Sequence, residues 1–203
     1  FYSMVVGCRP IKVASFGGRN SFLPKNSPHL YGENDLEIYS KYNIKGWESD
    51  EKVFDSDADI VDHQVAIIEY ENGATLAFHT NMNVPDEFRH FAIIGTKGMV
   101  EGDFVRGYLK AHNSHNGKRI LDENFGAAFQ QGTKGHYGAD QLMVKEISDH
   151  LLGKSSESLP VGVIDCMQAG LVAMKIDEAR EKNQIIDLRE IWNKLDNYNF
   201  YNV

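Results

Sequence analysis

The sequence predicts an α+β fold, in which an open, mainly antiparallel β-sheet carries helices packed on one of its faces. Three observations support this prediction: short strand-like segments cluster between residues 64 and 112, tight turns join them, and helical periodicity follows only afterwards. Strands grouped first and helices later favour α+β over alternating α/β units. An antiparallel sheet usually packs one face and leaves the other open to solvent, ligand or a partner.

The strands are predicted from β-branched and apolar runs that end at turn residues. They are Ile11–Phe16, Gln64–Tyr70, Ala74–Met82, Phe88–Gly95, Met99–Asp103 and Gly107–His112, with a short edge strand at Ile185–Leu188. Asn72 and Gly73 lie between two of these runs. This pair favours a tight hairpin because both residues tolerate positive φ.

Helices are predicted from apolar spacing and from the residues at their ends. The segments are Phe1–Val6 before a capping Gly7, Gly138–Leu152 before Gly153, Gly162–Lys182, and a short closing helix at Arg189–Leu195. In the first long helix, Met143, Ile147 and Leu151 share one face. In the second, the predicted apolar stripe comprises Ala169, Val172, Ala173, Ile176 and Ala179.

The chain is predicted to form a single domain over residues 1–203, interrupted by an insertion at residues 19–62. Hydrophobic residues make up 42% and charged residues 25% of the chain, as in ordinary globular proteins. The insertion has little periodicity apart from one short helix expected near Asp35–Tyr42. Loops this long are uncommon inside compact domains, so we expect a binding or lid role.

Charge and cysteine usage limit the classes of partner. Lys and Arg number 21 against 29 Asp and Glu, a net charge of −8, so no nucleic-acid partner is expected. No apolar run approaches the roughly 18–20 residues needed to cross a bilayer, so no membrane partner is expected. Cys8 and Cys166 lie far apart and are interpreted as reduced thiols, which indicates a cytoplasmic protein.

Three segments carry a family resemblance through their order and spacing. The first is Ile67–Leu76, which contains Glu-Asn-Gly-Ala; the second is Phe91–Asp103, which contains Gly-Thr-Lys-Gly; the third runs from Gly135-His-Tyr-Gly-Ala-Asp140 to Leu188. Together they resemble the C-terminal domain of the glucose–fructose oxidoreductase, inositol dehydrogenase and rhizopine-catabolism family (Gfo/Idh/MocA). The resemblance does not cover residues 19–62.

The resemblance implies a dihydrodipicolinate-reductase-like C-terminal domain, the substrate-binding and oligomerisation half of an NAD(P)-dependent sugar or polyol oxidoreductase. Its N-terminal Rossmann domain would hold NAD or NADP, and the glycine-rich motif of such a domain is absent from these 203 residues. The family's proton-transfer residues would lie upstream of Phe1. We therefore expect the full-length protein to be an enzyme, and this part alone to bind no cofactor and to be inactive.

Five residues are nominated for substrate binding: His136, Tyr137, Asp140, His79 and Arg89. His136 precedes a helix start, where free N–H groups favour hydroxyls and oxyanions, and the resemblance implies that this segment approaches the substrate. Alternatively, His136 is a solvated loop residue. Asp140 either holds a sugar hydroxyl or caps the helix. His79 faces either a pocket or a subunit interface. Arg89 either binds a carboxylate or phosphate through a bidentate contact of its guanidinium group or forms a surface ion pair.

Metal sites and other activities are weighed against the leading hypothesis. His112 and His115 lack further ligands for zinc. The acidic run Asp55–Asp59 lacks the Gly and Glu of a calcium loop. An NAD-dependent glycosidase of the same fold and a non-catalytic, self-associating sheet domain remain alternatives. In each case an open apolar sheet face favours a homodimer or homotetramer.

Overall fold

The computed structural model describes residues 2–26, 54, 57–84, 87–126, 136, 138–154, 159 and 161–199. In chain order the elements are α1 (Tyr2–Val6), β1 (Pro10–Gly18), a 3-10 helix (Pro24–Asn26), β2 (His63–Tyr70), β3 (Thr75–Asn81), β4 (His90–Ile94), β5 (Gly98–Asp103), β6 (Tyr108–Asn113), β7 (Arg119–Asn124), α2 (Ala139–Leu151), α3 (Val163–Lys182), β8 (Ile186–Asp187) and α4 (Arg189–Asp196). The predicted short helix near Asp35–Tyr42 lies outside the described residues.

The chain divides into two compact units. One combines Phe1–Asn83 with Val163–Val203, and the other is Val84–Gly162. Among the described residues, each unit contains one four-stranded sheet, with strand orders β3-β2-β1-β8 and β4-β5-β6-β7. Every pairing between described strands is antiparallel, so the predicted α+β class and antiparallel pairing are confirmed.

The division into two sheets differs from the single platform expected between residues 64 and 112. β3 and β4 follow each other in the chain, yet each forms an edge of a different sheet. The Asn81 Oδ1 accepts a hydrogen bond from the Asn83 N–H at 2.8 Å, and this local turn ends β3. β7 was not predicted, because its six residues include only two apolar ones, Ile120 and Leu121.

The first unit is built on a core between one face of its sheet and the helices α3 and α4. The buried residues of this core are Val13, Ile68, Tyr70, Ala179, Leu188, Trp192 and Leu195. Gln64 extends the same interface with polar contacts, since its Nε2 donates to Ser15 Oγ at 3.2 Å and to Asp177 Oδ1 of α3 at 3.1 Å. The predicted edge strand is confirmed, because β8 pairs with β1 through Val13 and Ile186.

The apolar stripe predicted on α3 is wrong in part. Ala169 and Ala173 are exposed, whereas Met167 and Leu171 pack against the core beside Val172 and Ile176. Alanine side chains are small and bury little area, so their positions do not determine which face of a helix packs against the sheet. The larger apolar side chains determine which face of α3 meets the sheet.

The hairpin between β2 and β3 is present, but Gly73 alone has a positive φ, at 82°. The Gly73 N–H donates to the Tyr70 carbonyl and the Tyr70 N–H to the Ala74 carbonyl, each at 2.9 Å. This pattern encloses a three-residue loop with glycine in the left-handed position. Asn72 contributes through its side chain, whose Oδ1 accepts from the Ala74 N–H at 3.0 Å.

The second unit contains a β-meander and α2. The bounds and stop predicted for this helix are confirmed, because it ends before Gly153, which has a φ of 67°. Its apolar face is not packed as expected: Met143, Ile147 and Leu151 are all exposed. Within the described part of the chain, no helix is long and apolar enough to span a membrane.

Candidate functional site

His136 and Asp140 are brought together at the start of α2. The His136 Nδ1 lies 3.0 Å from Oδ1 and 3.1 Å from Oδ2 of Asp140. His136 lies before the helix, and the left-handed backbone at His136 and Gly138 accompanies the contact. The N-cap position belongs to Gly138, with a left-handed φ of 92°, so the interpretation of Asp140 as the helix cap is wrong.

The backbone at His136 is unusual for a residue with a side chain. Its φ is 45°, in the left-handed region that non-glycine residues seldom adopt. Its side chain is 68% exposed and therefore accessible to a ligand. Tyr137, nominated together with it, lies outside the described residues.

His79 lies on the outward face of the first sheet, opposite the face that α3 covers. Its register partner is Val65, and the buried β2 residues Ala66 and Ile68 point the other way. The centre of this outward face is apolar, with Phe16 66% exposed and Ile67 63% exposed. We call it the open face; it comprises Ala14, Phe16, Val65, Ile67, Ala77 and His79 with their outward-facing neighbours.

One end of the open face carries a row of alternating charges. Lys12 is in register with both Asp187 and Glu69, and its Nζ lies 3.0 Å from the Glu69 Oε2. Arg189 donates to Asp187 from its side chain and its backbone. These hydrogen bonds, chiefly that of the guanidinium, lower the pKa of Asp187 to about 2. Asp187 therefore stays ionised at neutral pH.

The opposite end holds an arrangement that the sequence did not predict. Asp62 is 2% exposed, and its Oδ2 accepts from three consecutive backbone N–H groups at 2.6–3.0 Å; the donors are Asn20, Ser21 and Phe22. Its Oδ1 accepts from the His63 Nδ1 at 2.8 Å. Burial alone would raise the pKa of Asp62, but the bonds from His63 and the backbone outweigh it and lower the pKa.

Arg89 lies in the second unit, just before β4, and its side chain is exposed. Its guanidinium is 3.7 Å from the Glu87 carboxylate, so the structure records a surface ion pair there. Its backbone N–H donates to the buried Asp103, whose Oδ1 also accepts from Val105 and Arg106. Burial opposes ionisation of Asp103, yet these backbone bonds keep its pKa below the ordinary value. A role of Arg89 in substrate binding stays a prediction.

The described residues offer no metal site, and neither cysteine forms a disulfide. Among the described residues, no group of three or more His, Cys, Asp or Glu side chains is placed to hold a metal ion. Asp55, the first residue of the acidic run, lies outside that part of the chain. Cys8 and Cys166 are both free thiols.

Comparison with known proteins shows which solved structures share this fold. They include Gfo/Idh/MocA-type oxidoreductases, each less than 25% identical to this chain, so the similarity is one of fold. The predicted resemblance is thereby confirmed. No family model matches the chain.

Three similar proteins show how far the similarity extends along the chain. The aldose-aldose oxidoreductase from Caulobacter crescentus, solved with glycerol, matches with a TM-score of 0.55 and 16% identity over 92% of this chain and 44% of its own. Levoglucosan dehydrogenase, solved with NADH and levoglucosan, matches with a TM-score of 0.57 and 14% identity over 88% and 45%. The Bacillus subtilis (strain 168) protein named "Putative oxidoreductase YteT" is 31% identical over 85 residues, 42% of this chain and 19% of its own. This chain thus spans less than half the length of each relative.

Proposed function

We propose that this chain is the substrate-binding and subunit-pairing part of an NAD(P)-dependent sugar or polyol oxidoreductase. The observation that carries the proposal is the fold, which is shared over about nine-tenths of the chain with an aldose-aldose oxidoreductase and over 88% with levoglucosan dehydrogenase. The latter was solved with both NADH and a sugar derivative. Because fold alone does not determine activity, the residues of the site have to support the proposal as well.

The described residues do not fit a dinucleotide. A Rossmann site needs a parallel βαβ unit whose glycine-rich turn meets the pyrophosphate, whereas every described strand pair is antiparallel. In this proposal NAD or NADP is assigned to a separate N-terminal Rossmann domain, because the family resemblance implies one. The cofactor would then supply the redox chemistry there, and this part of the protein would bind and orient the substrate.

The candidate substrate ligands are His136, Tyr137, Asp140, His79 and Arg89. All five can exchange hydrogen bonds with hydroxyl groups, which are the recognition groups of a sugar or polyol. His136 with Asp140 is the best supported of them, because the two side chains are already in contact and accessible. His79 borders the apolar open face and is placed equally well for a subunit interface.

Subunit pairing is assigned to the open face. Large apolar side chains exposed together are costly in water and commonly mark a protein interface. Phe16, Val65 and Ile67 meet this description, and the charged row beside them would fix the register of two facing copies. We infer a homodimer or homotetramer. The free thiols are consistent with the proposed cytoplasmic location.

Cofactor and substrate binding by the full-length protein tests the proposal. We expect NADH or NADPH to change the protein's intrinsic fluorescence on titration, and NAD or NADP to be reduced when levoglucosan, D-glucose or myo-inositol is added. The 203-residue chain alone serves as the control and should show neither effect. Absence of binding for both cofactors, with subunit pairing intact, would instead favour a non-catalytic sheet domain.

A further inference from the structure

We propose that the chain carries a second contact surface for another copy of itself, in which a basic hairpin tip of one copy binds an acidic segment of the other. The basic tip comprises residues 95–98 and 113–120, and the acidic segment comprises residues 57–60. This inference goes beyond the proposed function and does not depend on it, because neither substrate nor cofactor takes part. The surface also differs from the open face, whose centre is apolar.

The basic tip consists of two hairpin loops of the second sheet, one between β4 and β5 and the other between β6 and β7. Hydrogen bonds join the two loops, since the Ser114 N–H donates to the Lys97 carbonyl at 3.1 Å and its Oγ to the Thr96 carbonyl at 3.0 Å. The second loop is closed by the Asn113 N–H, which donates to the Lys118 carbonyl at 2.9 Å. The backbone therefore holds Lys97 and Lys118 at the same end of the sheet.

The charge of the basic tip is opposite to that of the whole chain. The tip contains three basic residues, Lys97, Lys118 and Arg119, and no acidic one, whereas the chain has a net charge of −8. All three are exposed. Arg119 forms an ion pair with Asp122, but within the described ranges neither lysine of the tip has an acidic partner. Exposed basic side chains gathered in an acidic protein favour an anionic partner surface.

The acidic segment has the complementary composition. Asp57, Asp59 and Ile60 are all exposed, and neither aspartate forms an ion pair with another described residue. The chain immediately after the segment is fixed, because the buried Asp62 accepts four hydrogen bonds there. A segment that is held in place before binding loses less conformational entropy when it binds.

The two surfaces match in apolar content as well as in charge. Ile120 of the basic tip is 67% exposed, and Ile60 of the acidic segment is 61% exposed. In a pair of copies related by a two-fold axis the contact forms twice, because the tip of each copy meets the segment of the other. Exposed ion pairs are individually weak and are screened by salt. We therefore expect this contact at low salt and high protein concentration, in addition to pairing through the open face.

Reciprocal charge reversal tests the contact in the 203-residue chain. One variant carries Lys97→Glu with Lys118→Glu, and the other carries Asp57→Lys with Asp59→Lys. Each variant alone should associate more weakly at low salt, with the Kd raised at least about tenfold, because like charges then face each other. An equimolar mixture of the two variants should restore association, since each reversed surface meets a surface of opposite charge on the other variant. Sedimentation velocity at about 20 mM and about 500 mM NaCl measures both effects.

Lys25→Glu with Lys154→Glu is the matched control, because it changes the net charge equally at two exposed lysines outside the basic tip. The tip variant should weaken association clearly more than this control does. The inference is overturned if the native chain associates equally at both salt concentrations, or if the mixture assembles no better than either variant alone. Such a result leaves the proposed function standing, since cofactor binding is measured separately. Restored association in the mixture, together with absence of cofactor binding by the full-length protein, would keep the contact and remove the proposed function.

Discussion

The carboxylate of Asp62 accepts four hydrogen bonds although the residue is almost completely buried. Three of its donors are consecutive backbone N–H groups that lie about forty positions earlier in the chain. This is why the sequence did not single it out, since no local pattern connects the two segments. The contact of His136 with Asp140 was not predicted either, because it depends on a left-handed backbone at His136 that the sequence does not indicate.

Replacing Asp62 by alanine should destabilise the first unit by about 2–4 kcal/mol. The substitution leaves buried backbone N–H groups without an acceptor, and each such group costs about 1–3 kcal/mol, offset where water reaches it. Asp59→Ala is the control, because Asp59 is an exposed carboxylate in the same segment. Urea unfolding of both variants measures the difference. Equal midpoints for the two would show that Asp62 does not hold the loop.

The lowered pKa of Asp62 also predicts how stability depends on pH. A carboxyl group whose pKa is lower in the folded state contributes stability above its unfolded pKa of about 3.9, and this is lost as the pH falls through the folded pKa. The stability gap between native protein and Asp62→Asn should therefore be largest at neutral pH and narrow below about pH 4. Urea midpoints at a series of pH values measure it. A stability difference between the two proteins that widens as the pH falls would contradict the prediction.

Most helices and strands were predictable from the sequence because apolar periodicity and glycine stops act locally. β2, β3, α2 and α3 agree with their predicted bounds within about two residues. β7 was not predicted because its charged residues interrupt the apolar pattern that indicates a strand. The rotation of α3 was missed because alanines alone do not determine which face is buried. The pairing of β7 and the buried face of α3 both depend on tertiary packing, which local sequence patterns do not show.

Two glycines should respond to alanine substitution with opposite signs. Gly73 holds the left-handed position of the hairpin with a φ of 82°, where a Cβ is disfavoured, so Gly73→Ala should cost about 1–2 kcal/mol. Gly170 lies inside α3 with open space around its missing Cβ, so Gly170→Ala should stabilise by about 0.5–1 kcal/mol. Thermal or urea unfolding measures both. Destabilisation by Gly170→Ala would mean that this surface of α3 is covered.

At the scale of the whole molecule, the sequence predicted the class and the antiparallel pairing but not the division into two sheets. Strand pairing between segments as distant as β1 and β2 depends on contacts between residues on either side of the segment 19–62. The existence of an open face was likewise predictable, but not the set of residues that form it. Sequence analysis predicted an open apolar sheet face, but the structure was needed to place Phe16 of β1 beside Val65.

The open face gives the last prediction, which concerns assembly. A charge placed at its centre by Ile67→Lys would have to be desolvated on pairing, at a cost that a single interface seldom offsets. We expect the native chain to be a dimer or tetramer at micromolar concentration and Ile67→Lys to be monomeric, as measured by light scattering after size-exclusion chromatography. Ile94→Lys is the matched control, because Ile94 is 82% exposed but belongs to the second sheet. A monomeric native chain would show that the open face does not pair subunits of this chain. Disruption of assembly by Ile94→Lys but not by Ile67→Lys would place the interface elsewhere.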